Sequence, residues 1–171
     1  MGEVLPPATL RVRIQSLQEE GKRVVFTNGC FDLLHIGHIR YLKAARALGD
    51  CLVVAINGDA SVRRLKGPER PIIPQEQRAE ILAALSFVDY VIIFEELEPS
   101  CMISLLQPDV LVKGGDWTPD RIVGRAEVEA RGGEVLSLPL VEGAGTSAII
   151  SSILNKYTTS SRNSSKDPRK S

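Results

Sequence analysis

The chain has 171 residues, and its 21 basic and 21 acidic side chains give a formal net charge of zero. This length suffices for one domain with its own hydrophobic core, and the balanced charge argues against the broad basic surface that duplex nucleic acid requires. The three cysteines are scattered without metal-ligand spacing, which argues against a disulfide framework or a zinc site. Without a secretory signal or an apolar run of about 18 residues, the sequence predicts a cytoplasmic protein without membrane contact.

A weak helical pattern over residues 8–20 predicts a helix within a leading segment, 1–21, and leaves its contact with the core open. Five short runs rich in Val, Ile and Leu follow, and such nearly continuous apolar character is typical of parallel strands buried on both faces. They are KRVVFTN, CLVVAIN, DYVIIF, DVLVKGG and GEVLSLPL. The helical segments after them are IGHIRYLKAARALGD, DASVRRL, PQEQRAEILAALSF, PSCMISLLQ and TSAIISSILNKY.

This alternation predicts the fold class. It is α/β, a Rossmann-like, doubly wound and mostly parallel five-stranded sheet with helices on both faces, over residues 22–157. The small, polar and aperiodic residues 158–171 predict a disordered tail.

The stretch FTNGCFDLLHIGH follows the first predicted strand, where doubly wound sheets bind ligands. Gly29 permits a turn whose amides face a ligand, and the free N–H groups of a helix starting near Ile36 favour an anion. His35 and His38 lie three positions apart, on one side of that helix start, so both can point at one phosphate chain. The alternatives are one buried and one solvated histidine, or a zinc-binding pair.

These residues resemble the H-x-G-H signature of the nucleotidyltransferase superfamily. The stretches VAINGDASVRRLKGPERPIIPQEQRAEILAALSFVDYVIIFEE, PDVLVKGGDW and GGEVLSLPLVEGAGTS are similar to the adenylyltransferases that make ADP-heptose, and the similarity spans roughly residues 22–155. The resemblance implies transfer of AMP from ATP, with Mg²⁺, to heptose 1-phosphate, a sugar 1-phosphate that a separate sugar kinase would supply. It leaves the oligomeric state open, with a homo-oligomer among the options.

The resemblance also implies roles for individual residues. His35 and His38 would bind the triphosphate and stabilise the transition state at the α-phosphate, and Lys66 would bind the sugar phosphate and the α-phosphate. A solvated loop lysine is the alternative for Lys66. Nucleotide binding is implied for Thr27, Asn28, Gly29, Phe31, Gly37, Arg78, Lys113, Gly115, Asp116, Thr146 and Ser147.

Several of these assignments have alternatives. Arg78 could bind phosphate, brace the site or form a surface salt bridge. Trp117, next to Asp116, could contact the ligand or simply pack. Asp32 could orient a histidine or the water shell of the metal, or it could cap the helix.

The segment EGAGTS departs from the pattern of many relatives, which carry an arginine and a Ser-Thr-Thr run there. Here the arginine is missing and Gly145 replaces the first hydroxyl. Helix capping alone would explain Thr146 and Ser147. Arg63, Arg64 or Lys113 could supply the missing charge for the γ-phosphate.

Other functions would use the same phosphate motifs. One alternative is a cytidylyltransferase or adenylyltransferase acting on glycerol 3-phosphate, another sugar phosphate or FMN. A non-catalytic nucleotide-binding regulator is the alternative from another class. The preference for ATP over CTP rests on the resemblance around VKGGDW.

Overall fold

The computed structural model describes residues 1–115, 118, 121–139, 141 and 143–163, with side chains as far as residue 157. The elements are β1 (Glu3–Val4), α1 (Pro7–Glu19), β2 (Val24–Gly29), α2 (Ile36–Arg46), β3 (Cys51–Asn57), α3 (Asp59–Lys66), α4 (Gln75–Ala83), β4 (Tyr90–Phe94), α5 (Ser100–Leu106), β5 (Val110–Gly114), α6 (Arg125–Ala130), β6 (Glu134–Leu138) and α7 (Thr146–Asn163).

The strands form one sheet in the order β1-β4-β3-β2-β5-β6, and all of its pairs are parallel. Side chains alternate along each strand, so Val24 and Phe26 face one core cluster with α1, α5 and α6, while Val25 faces a second cluster with α2 and α4. Helices therefore cover both faces, which explains the continuous apolar runs and confirms the doubly wound α/β class.

Within the described residues the sheet has six strands, so the predicted number of five is wrong. β1 covers only two residues at the edge of β4, where the backbone N–H of Glu3 donates to the carbonyl of Asp89. Backbone pairing, which needs no apolar pattern, forms this strand. The short helix α6 was also missed, while Leu10 and Ile14 are fully buried and give the leading helix its core contact.

The last helix extends to Asn163, six residues into the segment 158–171 that the sequence predicts as a disordered tail. Residues 164–171 lie outside the described part of the chain, and the division into 1–21, 22–157 and 158–171 stays a prediction.

The strand order places the ligand-binding edge. β2 lies between β3 and β5, and the chain leaves β2 toward β3 on one side but reaches β5 only after β4 and α5. The order therefore reverses between β2 and β5, and the carboxyl ends of these strands open a crevice there.

Candidate active site

A cleft of about 660 Å³ opens at these carboxyl ends. The turn after β2, the start of α2, the ends of β3 and β5 and the start of α7 contribute to its walls. Among its lining residues are the predicted Asn28, Gly29, Phe31, His35, Gly37, His38, Lys66, Lys113, Thr146 and Ser147. The fold thus brings together ten predicted positions from four separate parts of the sequence, 28–38, 66, 113 and 146–147.

The two histidines form a stacked pair. Their ring centroids lie 3.9 Å apart with an angle of 25° between the planes, and the ring of Phe31 lies 5.2 Å from that of His38. The Nδ1 atoms of both histidines are buried and have no hydrogen-bond partner in the described part of the chain. Nε2 of each ring is not among these buried, unpartnered atoms, so it is the nitrogen available to a ligand in the cleft. Unpaired buried nitrogens are uncommon and call for a ligand or a functional explanation.

Burial lowers the pKa of His35. Burial and the neighbouring charge of His35 lower the pKa of His38 to about 4. Both rings are therefore neutral near pH 7 in the ligand-free protein. A phosphate chain beside them would favour the protonated forms, since an opposite charge stabilises the charged state.

Gly37 is the position in the H-x-G-H motif that makes room for this stack. A Cβ atom built on Gly37 would lie 2.9 Å from Cε1 and Nδ1 of His35 and 3.4 Å from the Cβ of Ala144. Real Cβ atoms essentially never come that close, so the ring of His35 covers the backbone of α2 only because residue 37 lacks a side chain. Gly37 therefore has a packing role, which is to leave room for the ring of His35. This role does not depend on a ligand that approaches the backbone closely.

We expect Gly37→Ala to lower the turnover number at least about tenfold, because small misplacements of catalytic groups are costly. The added methyl group would displace the ring of His35 while leaving its chemistry intact. Steady-state kinetics together with thermal unfolding of the same preparation would measure this. A misplaced catalytic group should cost far more than about twofold in turnover number. A variant within about twofold of the wild type would therefore show that the position of the His35 ring does not matter for catalysis.

The turn after β2 carries backbone strain. Phe31 adopts φ +47°, a left-handed conformation that a bulky residue rarely takes. Its ring lies against Gly29, where an added Cβ would come within 3.0 Å of Cε2 of Phe31, as well as against His38. Such strain is found where the surroundings fix a functional geometry, so Phe31 contributes to the site by supporting the turn and the histidine.

Cationic side chains lie on both sides of the histidine pair. Lys113 on β5 donates to Oδ1 of Asn28 at 3.0 Å, and burial together with the nearby charge of Lys66 lowers its pKa. Lys66 lies at the exposed end of α3. Arg70 and Arg121, which the sequence analysis did not single out, also line the cleft. The cleft therefore suits a ligand with several negative charges.

Arg78 does not face the cleft, and the surface salt bridge considered for it is also wrong. Its guanidinium is 1% exposed and donates to the carbonyls of Cys30, Ile73 and Asn57, and to the carboxylate of Asp59 at 2.7 Å. The side chain joins the ends of β2 and β3 to the start of α4. Its placement fits the bracing role and does not fit a direct nucleotide contact.

Thr27 also differs from its expected role. It is fully buried within β2, and its hydroxyl lies 2.6 Å from that of Tyr41, which donates to the carbonyl of Val112. Its backbone pairs with β3 and β5, so Thr27 does not line the cleft. The hydroxyl instead ties α2 to the sheet and so fixes the helix that bears the histidines.

The region of VKGGDW is only partly described. Gly114 lines the cleft, whereas Gly115 does not; Gly115 has φ +118° and accepts a hydrogen bond from Ser137 through its carbonyl. A left-handed conformation favours glycine, so Gly115 shapes the loop after β5. Asp116 and Trp117 lie outside the described residues, so the nucleotide contact of Asp116 stays a prediction and both alternatives for Trp117, ligand contact and packing, stay open.

Residues 26–150 match the family model described as Cytidylyltransferase-like. The chain belongs to this family. Bifunctional protein HldE of Syntrophotalea carbinolica is 55% identical over 149 residues, which are 87% of this chain and 30% of that protein. HldE of Geobacter sulfurreducens is 56% identical over 144 residues, 84% of this chain and 29% of that protein. The chain thus spans less than a third of the length of these curated relatives.

Two solved structures share the fold of this cytidylyltransferase-like domain. The lipopolysaccharide core biosynthesis protein of Thermoplasma volcanium has 31% identity and a TM-score of 0.59, over 72% of this chain and all of that one. Pantothenate synthetase of Thermus thermophilus has a TM-score of 0.59 over 82% of this chain and 62% of that one. At 15% identity the second likeness shows the fold alone.

The start of α7 shows how this family member uses its altered EGAGTS segment. The Thr146 hydroxyl donates to the carbonyl of Leu33 at 3.2 Å, which ties α7 to the loop before α2. Ser147 lines the cleft beside Gly145. Of the proposed replacements for the missing arginine, Arg63 and Arg64 do not line the cleft, whereas Lys113 does. Arg121 is a further cation there.

Neither spacing nor the resemblance implied a role for several other residues that line the cleft. They include Arg70, Leu97, Glu98, Pro99, Arg121 and Val123. In the described ranges no three His, Cys, Asp or Glu residues cluster as metal ligands. No helix in the same ranges is long and apolar enough to cross a membrane.

Proposed function

We propose that this domain transfers the AMP group of ATP to heptose 1-phosphate, giving ADP-heptose and pyrophosphate. The stacked His35–His38 pair at the start of α2, in a cleft lined by cations, is the observation that carries the proposal. The resemblance to ADP-heptose-forming adenylyltransferases supplies the acceptor. The names of the relatives, bifunctional protein HldE and a lipopolysaccharide core biosynthesis protein, agree with it.

The reaction requires no covalent enzyme intermediate, because the attacking group is already an anionic phosphate. An oxygen of the sugar phosphate attacks the α-phosphorus of ATP, and the bond from that phosphorus to the bridging oxygen of the β-phosphate breaks. Pyrophosphate leaves on the opposite side, as an in-line displacement demands. The protein contributes by positioning both phosphates and stabilising the charge.

The two sides of the cleft fit the two substrates. The β5 side, formed by Lys113, Gly114, Thr146 and Ser147, combines a half-buried cation with the start of α7. Helix starts attract anions through their free N–H groups, so this side suits the triphosphate. The β3 side, formed by Asn57, Lys66 and Arg70, is left for the sugar phosphate.

His35 and His38 lie between the two sides, because they follow β2, the strand between β3 and β5. Their Nε2 atoms would donate to the α-phosphate and to the oxygen of the departing pyrophosphate. Donors aimed at growing charge stabilise a transition state more than a ground state. This gives both histidines a catalytic role without making either a nucleophile.

Mg²⁺ would enter as part of the substrate, bound to ATP. Phosphate oxygens and water hold Mg²⁺ in many nucleotide sites, with few protein ligands. The absence of a three-residue metal cluster in the described ranges is compatible with that arrangement. The chain's contribution is the set of cations that hold the same phosphates.

We expect Lys66→Ala to raise the KM for the sugar phosphate and to lower kcat. A flexible cation on the β3 side acts on the charge of the acceptor in both the ground state and the transition state. Initial rates at varied acceptor and saturating ATP would measure both constants. Unchanged kinetics would return Lys66 to the role of a solvated loop lysine.

The proposal is tested with a pyrophosphate-release assay over a panel of substrates. ATP and CTP would each be combined with heptose 1-phosphate, glucose 1-phosphate, glycerol 3-phosphate and FMN. We expect the highest kcat/KM with ATP and heptose 1-phosphate. Faster release with CTP or another acceptor would support one of the related transferases, and binding of ATP without release in any pair would support a nucleotide-binding regulator.

A further inference from the structure

A buried carboxylate anchors the loop that joins α3 to α4. Asp32 is 2% exposed and accepts hydrogen bonds from the backbone N–H groups of Ile72 at 2.8 Å and Ile73 at 2.9 Å. Its other contact is an ion pair with Nε of Arg70 at 2.5 Å. Burial raises the pKa of Asp32, but these hydrogen bonds outweigh burial and lower it overall. Asp32 is therefore a fixed negative charge that orients neither histidine.

The guanidinium of Arg70 is held at one end and open at the other. Its side chain is 15% exposed and lines the cleft, and Nε is the only guanidinium nitrogen with a hydrogen bond in the described part of the chain. The two terminal nitrogens are left without a protein partner there. A guanidinium fixed at Nε loses little further freedom when it binds a ligand, because its plane is already set.

Asp32 pairs with Arg70 at Nε, but the surroundings leave the two terminal nitrogens available to an anion. Lys66, Arg70 and Arg78 all act electrostatically on Cys30, yet burial dominates and raises the pKa of that thiol, so it stays uncharged. Asp32 is occupied by its three donors. Among the described residues, Glu98 is the other carboxylate that lines the cleft, and no ion pair joins it to Arg70 there.

We propose that Arg70 binds the phosphate group of the acceptor substrate through its two terminal nitrogens, with Asp32 as the residue that positions it. A planar guanidinium matches two phosphate oxygens at once, whereas an ammonium group such as that of Lys66 acts as a point charge. Arg70 thereby fixes the orientation of the acceptor and discriminates for a phosphate group. This inference rests on the proposed function, which identifies the two substrates.

The position of Arg70 assigns it to the acceptor. It follows α3, which follows β3, so it lies on the opposite side of β2 from Lys113 and the start of α7. In-line displacement places the attacking oxygen and the leaving group on opposite sides of the phosphorus. A residue on the β3 side therefore contacts the attacking phosphate and not the departing pyrophosphate.

The test compares Arg70→Ala with Arg70→Lys and Arg70→Gln in the full chain. We expect Arg70→Ala to raise the acceptor KM at least about tenfold, while the KM for ATP stays within about twofold. Arg70→Lys keeps the positive charge but lacks the two terminal guanidinium nitrogens, so it should give an acceptor KM between those of the wild type and Arg70→Ala. Arg70→Gln retains a donor for Asp32, so it serves if the alanine variant does not fold. Arg64→Ala is the control, because that exposed guanidinium donates to the carbonyl of Glu95 outside the cleft.

Asp32→Asn tests the positioning role. The variant should raise the KM for the acceptor without changing the KM for ATP. If Asp32 had a purely structural role, the substitution would change both KM values or leave both unchanged. An unchanged acceptor KM in Arg70→Ala, or a larger effect on the KM for ATP, would overturn the assignment of Arg70.

Failure of the proposed function is distinguishable from failure of this inference. If the wild-type chain releases no pyrophosphate with any acceptor, the proposed function fails, and Arg70 is then tested by calorimetric titration of inorganic phosphate. We expect Arg70→Ala to weaken phosphate binding at least about fivefold relative to the wild type and Arg64→Ala, since a charge-assisted, two-pronged contact is lost. Equal affinities in all three proteins would overturn the role of Arg70 whatever the reaction.

Discussion

Replacing His38 with Ala is expected to lower kcat by about 100- to 1,000-fold, the loss typical of removing one preorganised donor to a developing charge. The same holds for His35→Ala, since the two rings stack at 3.9 Å and would serve one polyphosphate. ATP binding should suffer less than the rate, because the donors act most strongly on the transition state. Pyrophosphate release and calorimetric ATP binding would separate the two effects.

The double variant should lose less than the product of the two single losses, because residues in contact are not independent. Loss of stability without loss of turnover per folded molecule would instead indicate two packing residues. A histidine that can be replaced by Ala with less than about a threefold change in kcat is not a donor of the kind that electrostatic catalysis requires.

Arg78→Ala is expected to lower the free energy of unfolding by about 3 kcal/mol or more, the cost of breaking a buried ion pair by removing one partner. The guanidinium is 1% exposed, and its removal would leave three carbonyls and the carboxylate of Asp59 without their donor. In a chain of this size that loss corresponds to a fall in Tm of about 6–12 °C. Denaturant unfolding and thermal unfolding would both measure it.

Arg13→Ala is the matched control for Arg78, because it removes an exposed arginine from the helix α1. Such surface changes usually alter stability by less than about 0.5 kcal/mol. An Arg78→Ala protein as stable as the Arg13→Ala protein, but with a raised KM for ATP, would contradict the bracing role and restore a direct phosphate contact.

Local sequence signals predicted the parts of the fold and site that depend on neighbouring residues. Apolar runs such as CLVVAIN predicted the buried strands because both faces of the sheet are covered. The spacing of His35 and His38 at a helix start predicted that they act together, and the structure stacks them. β1 was missed because a strand of two residues, close to Pro6 and Pro7, is too short to show an alternating pattern of apolar side chains.

Roles that depend on distant partners were beyond the reach of local patterns. The hydroxyl of Thr27 shares a hydrogen bond with that of Tyr41, and Asp32 accepts one from the backbone of Ile72, which lies in a loop 40 residues further along the chain. Neither partner could be inferred from the spacing of residues in the sequence. Arg70 stands in a loop before a proline, within a stretch that carries the resemblance, but the resemblance implied no role for it. Only the topology, which brings that loop back to the end of β2, reveals it.

The central claim, AMP transfer assisted by the histidine pair, is tested most directly by phosphorus NMR of the reaction mixture. The wild-type chain would be incubated with MgATP and heptose 1-phosphate beside an equal concentration of His38→Ala. The account predicts pyrophosphate and ADP-heptose in equal amounts from the wild type, and formation of both slowed at least about a hundredfold in the variant. Pyrophosphate without a sugar nucleotide, or equal rates from the two proteins, would contradict it.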